Sequence, residues 1–149
     1  MYSRLLKDFQ FLIALLSAFP VWFVLLSSDY QIQDLNKDGQ FLSALVSIGL
    51  LYPLVEELCF RGFIQTGLRK SPFLCSTWFG LGYANILTSV LFATLHVFYQ
   101  PLHMAILIFI PSLVFGYFRD RYNSVTPAMI LHVFYNSGWL MFAYVIMSA

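Results

Sequence analysis

The chain contains the stretch FLSALVSIGLLYPLVEELCFRGFIQ at residues 41–65, an apolar run that carries Glu56, Glu57 and Arg61 in its second half. The run exceeds the roughly 20 residues that an α-helix needs to cross about 30 Å of hydrocarbon. Ionisable side chains inside a membrane helix are costly, and they mark a functional site by default. The stretch therefore predicts a membrane helix that contributes residues to a functional site.

The composition of the whole chain also indicates a membrane protein. Its 149 residues are 60% hydrophobic and 10% charged, and the mean hydropathy is +0.76. Typical globular domains are about 45–50% apolar and about 25% charged. A soluble domain of this length could not bury so much apolar surface. The net charge of +1 excludes a nucleic-acid reader, which would present a clustered basic face. The expected surroundings are a lipid bilayer, with no nucleic acid as partner.

The apolar runs between the charged residues predict an all-α fold, a polytopic transmembrane bundle of about five helices in a single domain over residues 1–149. The predicted helices cover residues 9–28, 41–66, 83–100, 103–118 and 127–148. Basic residues favour the cytoplasmic side of a membrane. An inside N-terminus places all the basic flanks on that side, namely Arg4, Lys7, Arg69, Lys70, Arg119 and Arg121. We therefore expect a multi-pass protein of the cell membrane.

One predicted loop resembles the first half of an EF-hand calcium site. Asp34, Asn36 and Asp38 alternate along the loop and Gly39 follows them. The twelfth position, which should be a bidentate Glu, is Leu45 in the next helix. An exposed turn with solvated acids is the favoured interpretation.

The two cysteines predict neither a disulfide framework nor a zinc site. Cys59 and Cys75 are 16 residues apart and form no CxxC motif. We expect both to pack in the core, in or beside a membrane helix.

Helical spacing separates the roles of the three charged residues. Glu57 and Arg61 are four residues apart, so they share a face and can form an ion pair. Glu56 is rotated by about 100° from Glu57. Glu56 is therefore the better candidate for a general base.

Histidines are the natural partners of a buried carboxylate. His96 and His132 lie within predicted helices, Asn136 follows His132 by one turn, and His103 is expected to be a polar residue at the membrane boundary. Polarity returns at Gln65, which marks the cytoplasmic end of its membrane segment and places Glu56 about 13 Å deep at 1.5 Å per residue. Counted from Ile86 and from Pro127, His96 and His132 lie about 15 and 8 Å deep. They can thus meet in the inner half of the bilayer. The alternative is that these polar residues only join helices through hydrogen bonds. Two Glu, one Arg, two His and one Asn on three helices favour a catalytic site instead.

The same residues resemble the motif set of the CPBP family (CAAX proteases and bacteriocin-processing enzymes, also called the ABI family), which includes the type II CAAX prenyl endopeptidases. The family pattern is EExxxR, then FxxxH, then HxxxN or HxxxB, each on a separate helix. It is matched in order by Glu56-Glu57-x-x-x-Arg61, Phe92-x-x-x-His96 and His132-x-x-x-Asn136. The resemblance covers residues 41 to about 140.

The resemblance implies an intramembrane endopeptidase that cleaves a membrane-associated peptide or protein. It implies that Glu56 and His96 activate water, that His132 and Asn136 stabilise the oxyanion, and that Glu57 and Arg61 brace the site. A metal-free, glutamate-based reaction without cofactor is favoured. A zinc-dependent version, with Glu56, His96 and His132 as ligands, is the alternative, although no HExxH motif is present.

The substrate and two other classes of function stay open. Only one helix precedes the motif helix, which leaves less wall to enclose a prenyl group. A C-terminal sorting signal or another membrane-anchored peptide in a bacterial inner membrane is therefore as well supported as a CAAX substrate. A non-catalytic binding or immunity protein of the same fold should have lost a motif residue, and none is lost. An ion or proton carrier should show broken helices or an inverted repeat, and neither is apparent.

Overall fold

The computed structural model describes residues 2–27 and 40–148, and this part of the chain is almost entirely helical. Its helices are α1 (Tyr2–Leu5), α2 (Phe9–Leu16), α3 (Ala18–Ser27), α4 (Gln40–Leu68), α5 (Tyr83–His96), α6 (Leu102–Tyr122) and α7 (Thr126–Ser148), and β1 (Thr77–Trp78) and β2 (Leu81–Gly82) form a small hairpin. The predicted all-α fold is confirmed, with the first predicted helix in two pieces. The predicted calcium-like loop at Asp34, Asn36 and Asp38 lies outside the described residues.

Within the described residues, three helical segments are long and apolar enough to cross a membrane: Gln40–Leu68, Leu102–Tyr122 and Thr126–Ile146. The protein is thus a helical membrane protein. Helix α5 is shorter than predicted, because it ends at His96 and has only 14 residues, or about 21 Å at 1.5 Å per residue. Helix α6 is longer than predicted and includes Arg119 and Arg121. It ends where Asn123 adopts a left-handed conformation with φ of 47°, a common way to terminate a helix.

A proline explains why the first predicted helix is divided. Proline has no backbone N–H, and its ring collides with the carbonyl four residues before it. For Pro20 that carbonyl belongs to Leu16, the residue at which α2 ends. Helix α3 then begins at Ala18, which places Pro20 in its first turn, where no N–H is needed.

Helix α4 contains two π-helical segments, Leu45–Leu51 and Leu58–Gln65. The second segment carries Arg61 and begins directly after Glu57. Such wide turns are rare and frequently occur at functional sites. The local geometry of α4 is therefore unusual at the position where the sequence places its charged residues.

The chain divides into two compact units. Unit 1 comprises Met1–Val55 and Ile130–Ala149, and unit 2 comprises Glu56–Met129. Helix α4 runs from one into the other. The single domain predicted for residues 1–149 stays a prediction.

In unit 1, α7 packs against α2 and α3 through two aromatic residues. The Tyr135 hydroxyl donates to the Ala14 carbonyl over 2.8 Å and lies 2.8 Å from the Ser17 hydroxyl. The Trp22 indole donates to the Tyr135 carbonyl over 2.9 Å. Its ring lies so close to Gly138 that any side chain there would overlap it. These contacts hold the helix that carries His132 and Asn136.

In unit 2, buried polar groups join α4 to α6 at two levels one helical turn apart. Arg61 bonds to Ser112, and the Gln65 amide donates to the Gly116 carbonyl over 3.0 Å. Gly116 must lack a side chain, because a Cβ would overlap the Asn85 carboxamide. Gln65 is fully buried, although the sequence analysis used it to mark the polar end of the helix. That interpretation is wrong, because α4 continues to Leu68 and Gln65 bonds inside the unit.

A charged cluster lies at the end of unit 2 where α4 ends. Asp120 accepts from Arg69 over 2.7 Å and from Arg119 over 2.9 Å. Arg119 also donates to the Thr66 hydroxyl over 2.6 Å and is 7% exposed. Arg119 is thus part of the packing between α4 and α6, and not only a solvated flanking charge.

The expectation that both cysteines pack in the core is wrong. Cys59 and Cys75 are free and exposed. Cys59 lies two positions after the buried Glu57, about 200° around the helix, and therefore on the opposite face. Cys75 lies in the loop after α4, where its thiol donates to the Pro72 carbonyl over 3.3 Å.

Candidate functional site

The ion pair predicted on α4 is confirmed. Arg61 Nε donates to Glu57 Oε2 over 3.0 Å, and both side chains are 0% exposed. Four residues separate them, so one turn of helix brings them together. A buried charge persists only when it is paired and hydrogen-bonded. Glu57 is therefore committed to neutralising Arg61.

Two further groups fix the Arg61 guanidinium. Its Nη2 donates to the carbonyl and to the hydroxyl of Ser112 over 2.9 and 2.7 Å. Its Cζ lies 5.7 Å from the centroid of the Phe92 ring, within the range of a cation–π interaction. Among the described residues its Nη1 has no hydrogen-bond partner. Arg61 thus links α4, α5 and α6 and acts as the structural centre of unit 2.

Glu56 differs from Glu57 in its surroundings. It is half-buried, whereas Glu57 is completely buried in the pair with Arg61. A carboxylate that works on a water molecule must be reachable by that water. The difference in burial between the two neighbours agrees with the assignment that helical spacing predicts for them.

The orientation of His96 defines its tautomer. Its Nδ1 lies 2.8 Å from the carbonyl oxygen of Phe92, one turn earlier on α5. A carbonyl oxygen can only accept, so Nδ1 carries a proton and donates it. In the neutral ring, Nε2 then has the lone pair and can accept a proton. The ring also lies against Phe92, with centroids 4.5 Å apart.

Packing between α4 and α5 places Glu56 and His96 at the same level of unit 2. The rings of Phe60 and Phe92 meet edge to face, with centroids 4.9 Å apart. Glu56 lies four residues before Phe60, and His96 lies four residues after Phe92, so each shares a face with its phenylalanine. The two helices run in opposite directions. Moving back one turn on α4 and forward one turn on α5 therefore leads to the same side of the ring contact.

The observed helix ends give the same result. Glu56 lies 12 residues from Leu68 and His96 lies 13 residues from Tyr83, which correspond to about 18 and about 20 Å at 1.5 Å per residue. These two helix ends are joined by the loop at residues 69–82. Both groups lie farther from the helix ends than the sequence analysis predicts, because that count began at Gln65 and Ile86, whereas the helices end at Leu68 and Tyr83.

His132 and Asn136 lie on α7 in unit 1. His132 is 6% exposed and Asn136 is half-buried. The Asn136 amide donates to the Ile48 carbonyl over 3.2 Å. The preceding carbonyl, of Ser47, accepts the N–H of Tyr52. With the same spacing of five residues, the Ile48 carbonyl would accept from the N–H of residue 53. That residue is Pro53, which has no N–H. Asn136 therefore replaces a donor that α4 lacks.

His103 and the possible metal ligands complete the set of candidate site residues. His103 is exposed at the second position of α6, as expected of a boundary residue. Within each unit, the described residues include no group of three His, Cys, Asp or Glu side chains that could hold a metal ion. The zinc alternative combines residues of unit 2 with His132 of unit 1, and a chelator is its direct test.

Several residues of the site were not singled out by sequence reasoning. They are Ser112, Gln65, Asn85 and Gly116 in unit 2, and Ile48 with Pro53 in unit 1. A signal was available for some of them, because small or polar residues recur four apart at 61 and 65, at 85 and 89, and at 112 and 116. Such spacing places polar groups on one face of a helix, and polar groups inside a membrane protein face its interior.

The fold and these side chains define a class: a helical membrane protein that buries an ion pair and places a carboxylate and a histidine at one level. A family model, type II CAAX prenyl endopeptidase Rce1-like, matches residues 38–138, and the chain belongs to this family. The resemblance read from the motifs is thereby confirmed. The family supports a protease role, with membrane-associated proteins as substrates. No match was found among the curated proteins or among the solved structures.

Proposed function

We propose that this protein is a glutamate-dependent intramembrane endopeptidase in which Glu56 and His96 bind and activate a water molecule. The observation that carries the proposal is the Phe60–Phe92 ring contact, at 4.9 Å between centroids. This contact supports the placement of Glu56 and His96 at the same height along their two helices. Glu56 is half-buried, and the Nε2 of His96 can accept a proton. A water between two such acceptors is held and made nucleophilic at once.

The reaction divides into steps that conserve atoms and charge. The water oxygen attacks the scissile carbonyl carbon while its proton passes to Glu56, and the carbonyl oxygen becomes an oxyanion. The C–N bond then breaks, and the same proton passes to the departing amine. The immediate products are a carboxylic acid and an amine. The second proton of the water then leaves the new acid for the amine, which gives a carboxylate and an ammonium terminus. His96 orients the water through Nε2, and the Glu57–Arg61 pair braces the helix that carries Glu56.

We assign the stabilisation of the oxyanion to His132 and Asn136, on the basis of the HxxxN motif of the family. A neutral N–H donor suits this task, because its bond strengthens as negative charge develops on the oxygen. One N–H of the Asn136 amide donates to Ile48, and the amide carries two N–H groups. The second N–H is the one proposed to serve the oxyanion.

The proposed substrate is a membrane-anchored peptide or protein, cleaved near its C-terminus. The family description supports a prenylated CAAX substrate. A C-terminal sorting signal is the second candidate, and a bacterial inner membrane is the proposed location. A metal-free reaction is proposed because it needs only the carboxylate, the imidazole and water. A zinc reaction would need three ligands and a separate base.

The experiment is to purify the protein in detergent and to assay cleavage of membrane-anchored peptides, with and without a prenyl group. We expect Glu56→Gln to abolish cleavage and a chelator to have no effect. The matched control is His103→Ala, since His103 is exposed at the start of α6, and this variant should retain full activity. Cleavage by a folded Glu56→Gln variant would refute the assignment of the base. Loss of activity with chelator, restored by zinc, would refute the metal-free reaction.

A further inference from the structure

The loop between α4 and α5 ends in a hairpin with an aromatic tip. Thr77 pairs with Gly82 and Trp78 pairs with Leu81. Between them lie Phe79 and Gly80, with φ of 48° and 80°. Two residues with positive φ form the turn that matches the twist of a two-stranded hairpin.

Phenylalanine is an unusual residue for this turn. The first central position normally holds Asn, Asp or Gly, because a side chain with a bulky Cβ substituent is strained at positive φ. The Phe79 side chain is 90% exposed, and its ring meets that of Trp78 edge to face, with centroids 5.0 Å apart. Trp78 and Phe73, in the same loop, are 57% and 88% exposed. The loop thus holds three large aromatic side chains away from the protein.

The hairpin is fastened to the end of α6. Gly82 approaches Asp120 so closely that a Cβ would lie 3.0 Å from its Oδ2. Asp120 also pairs with Arg69 at the start of the loop, at 2.7 Å. The loop is therefore attached at both ends, and its aromatic tip has a defined position on unit 2.

The same end of unit 2 is basic. Arg69, Lys70 and Arg121 are exposed, Arg119 lies beside them, and Asp120 is the one acid between residues 69 and 122. The loop follows directly on α4, which is long and apolar enough to cross a membrane. Basic groups beside a membrane helix attract anionic lipid headgroups, and tryptophan and other aromatic rings favour the membrane–water interface.

We propose that residues 69–82, the aromatic anchor, insert into the interface of a leaflet that contains anionic lipid. Phe73, Trp78 and Phe79 lie among the headgroups and the upper acyl carbons, and the basic residues bind lipid phosphates. This contact accounts for both the exposure of the three rings and the strained turn that presents Phe79. The inference does not depend on proteolysis, because it concerns how the protein is seated in the bilayer.

The test uses the fluorescence of Trp78 in protein reconstituted into vesicles of phosphatidylcholine with and without phosphatidylglycerol. The other tryptophans, Trp22 and Trp139, are 6% and 8% exposed, so subtracting the spectrum of a Trp78→Phe variant isolates the signal of Trp78. We expect lipids brominated near the headgroup to quench this signal, and acrylamide in the water to have little effect. Quenching by acrylamide and not by brominated lipid would overturn the proposal and leave a protein partner as the occupant.

Variants at the tip make the test specific. Phe79→Asn should keep the turn, because Asn adopts positive φ readily, but the lipid quenching of Trp78 should be largely lost. Phe79→Leu should retain most of it, because the side chain stays apolar. Quenching should be stronger with phosphatidylglycerol, and Lys70→Gln should reduce that difference. Equal quenching in the Phe79→Asn and Phe79→Leu variants, or the same quenching in both kinds of vesicle, would contradict the anchor.

Discussion

Replacement of Glu57 by Gln removes one charge and almost no volume from the interior of unit 2. Arg61 then keeps its positive charge at 0% exposure and loses the carboxylate 3.0 Å away. A stranded charge cannot be solvated by water in a packed membrane interior. We therefore expect Glu57→Gln to destabilise the protein, and to do so more than a neutral hydrogen bond would.

The structure sets the size of the effect. Breaking a buried ion pair by removing one partner costs about 3–5 kcal/mol. Arg61 retains two hydrogen bonds to Ser112, at 2.9 and 2.7 Å, and the face of Phe92 at 5.7 Å. These contacts favour the lower end of the range, about 3 kcal/mol. Since each 1.4 kcal/mol is about tenfold, the ratio of folded to unfolded protein should fall roughly a hundredfold.

The assay is equilibrium unfolding in mixed micelles of a mild detergent and dodecyl sulfate, followed by circular dichroism. The control is the double variant Glu57→Met with Arg61→Met, which removes both charges and keeps apolar volume. Replacing both partners is often neutral or stabilising, so the double variant should be more stable than Glu57→Gln alone. Unfolding of Glu57→Gln at the wild-type midpoint would refute the reasoning. Equal losses in the single and the double variant would show that a stranded charge is not the cause.

Three further predictions concern His96, Asn136 and Gly116. His96→Ala should lower the cleavage rate at least about a hundredfold, the usual contribution of a positioned acid–base group, and His103→Ala should not; equal losses would refute the assignment. Asn136→Ala should lower turnover per folded molecule by about 10²–10³ if its amide serves the oxyanion, whereas reduced stability with unchanged turnover would restrict it to its bond with α4. Gly116→Ala should destabilise the protein by about 1–3 kcal/mol through overpacking, while Gly67→Ala, with nothing within 4 Å of the added Cβ, should be neutral in the same unfolding assay.

Much of the local structure follows from residue types and helical periodicity. Apolar runs of membrane length predict the helices, because an unpaired backbone cannot cross hydrocarbon. The four-residue spacing of Glu57 and Arg61 predicts their ion pair, because both groups lie on the same turn of one helix. The ends of helices are predicted less well. Helix α6 continues through Arg119 and Arg121, since charged residues favour helix as much as apolar ones do.

Contacts between helices could not be predicted in this way. Arg61 bonds to Ser112, which is 51 residues away, and periodicity within one helix does not specify which face of another helix it meets. The pairing of Gln65 with Gly116 was missed for the same reason. Gln65 was interpreted as the polar end of a membrane segment, although a polar residue inside a bundle needs only a partner on a neighbouring helix.

The sequence is sufficient for the statements that depend on neighbours along the chain: membrane helices, the ion pair of Glu57 with Arg61, and the choice of Glu56 as the candidate base. Only the tertiary structure shows the Phe60–Phe92 contact, from which we infer the shared level of Glu56 and His96. It alone also shows that Asn136 supplies the donor that Pro53 lacks. The physical reason is that helical hydrogen bonds are local and follow from the order of residues. The contacts between helices arise from packing, which depends on the shapes of side chains far apart in the chain.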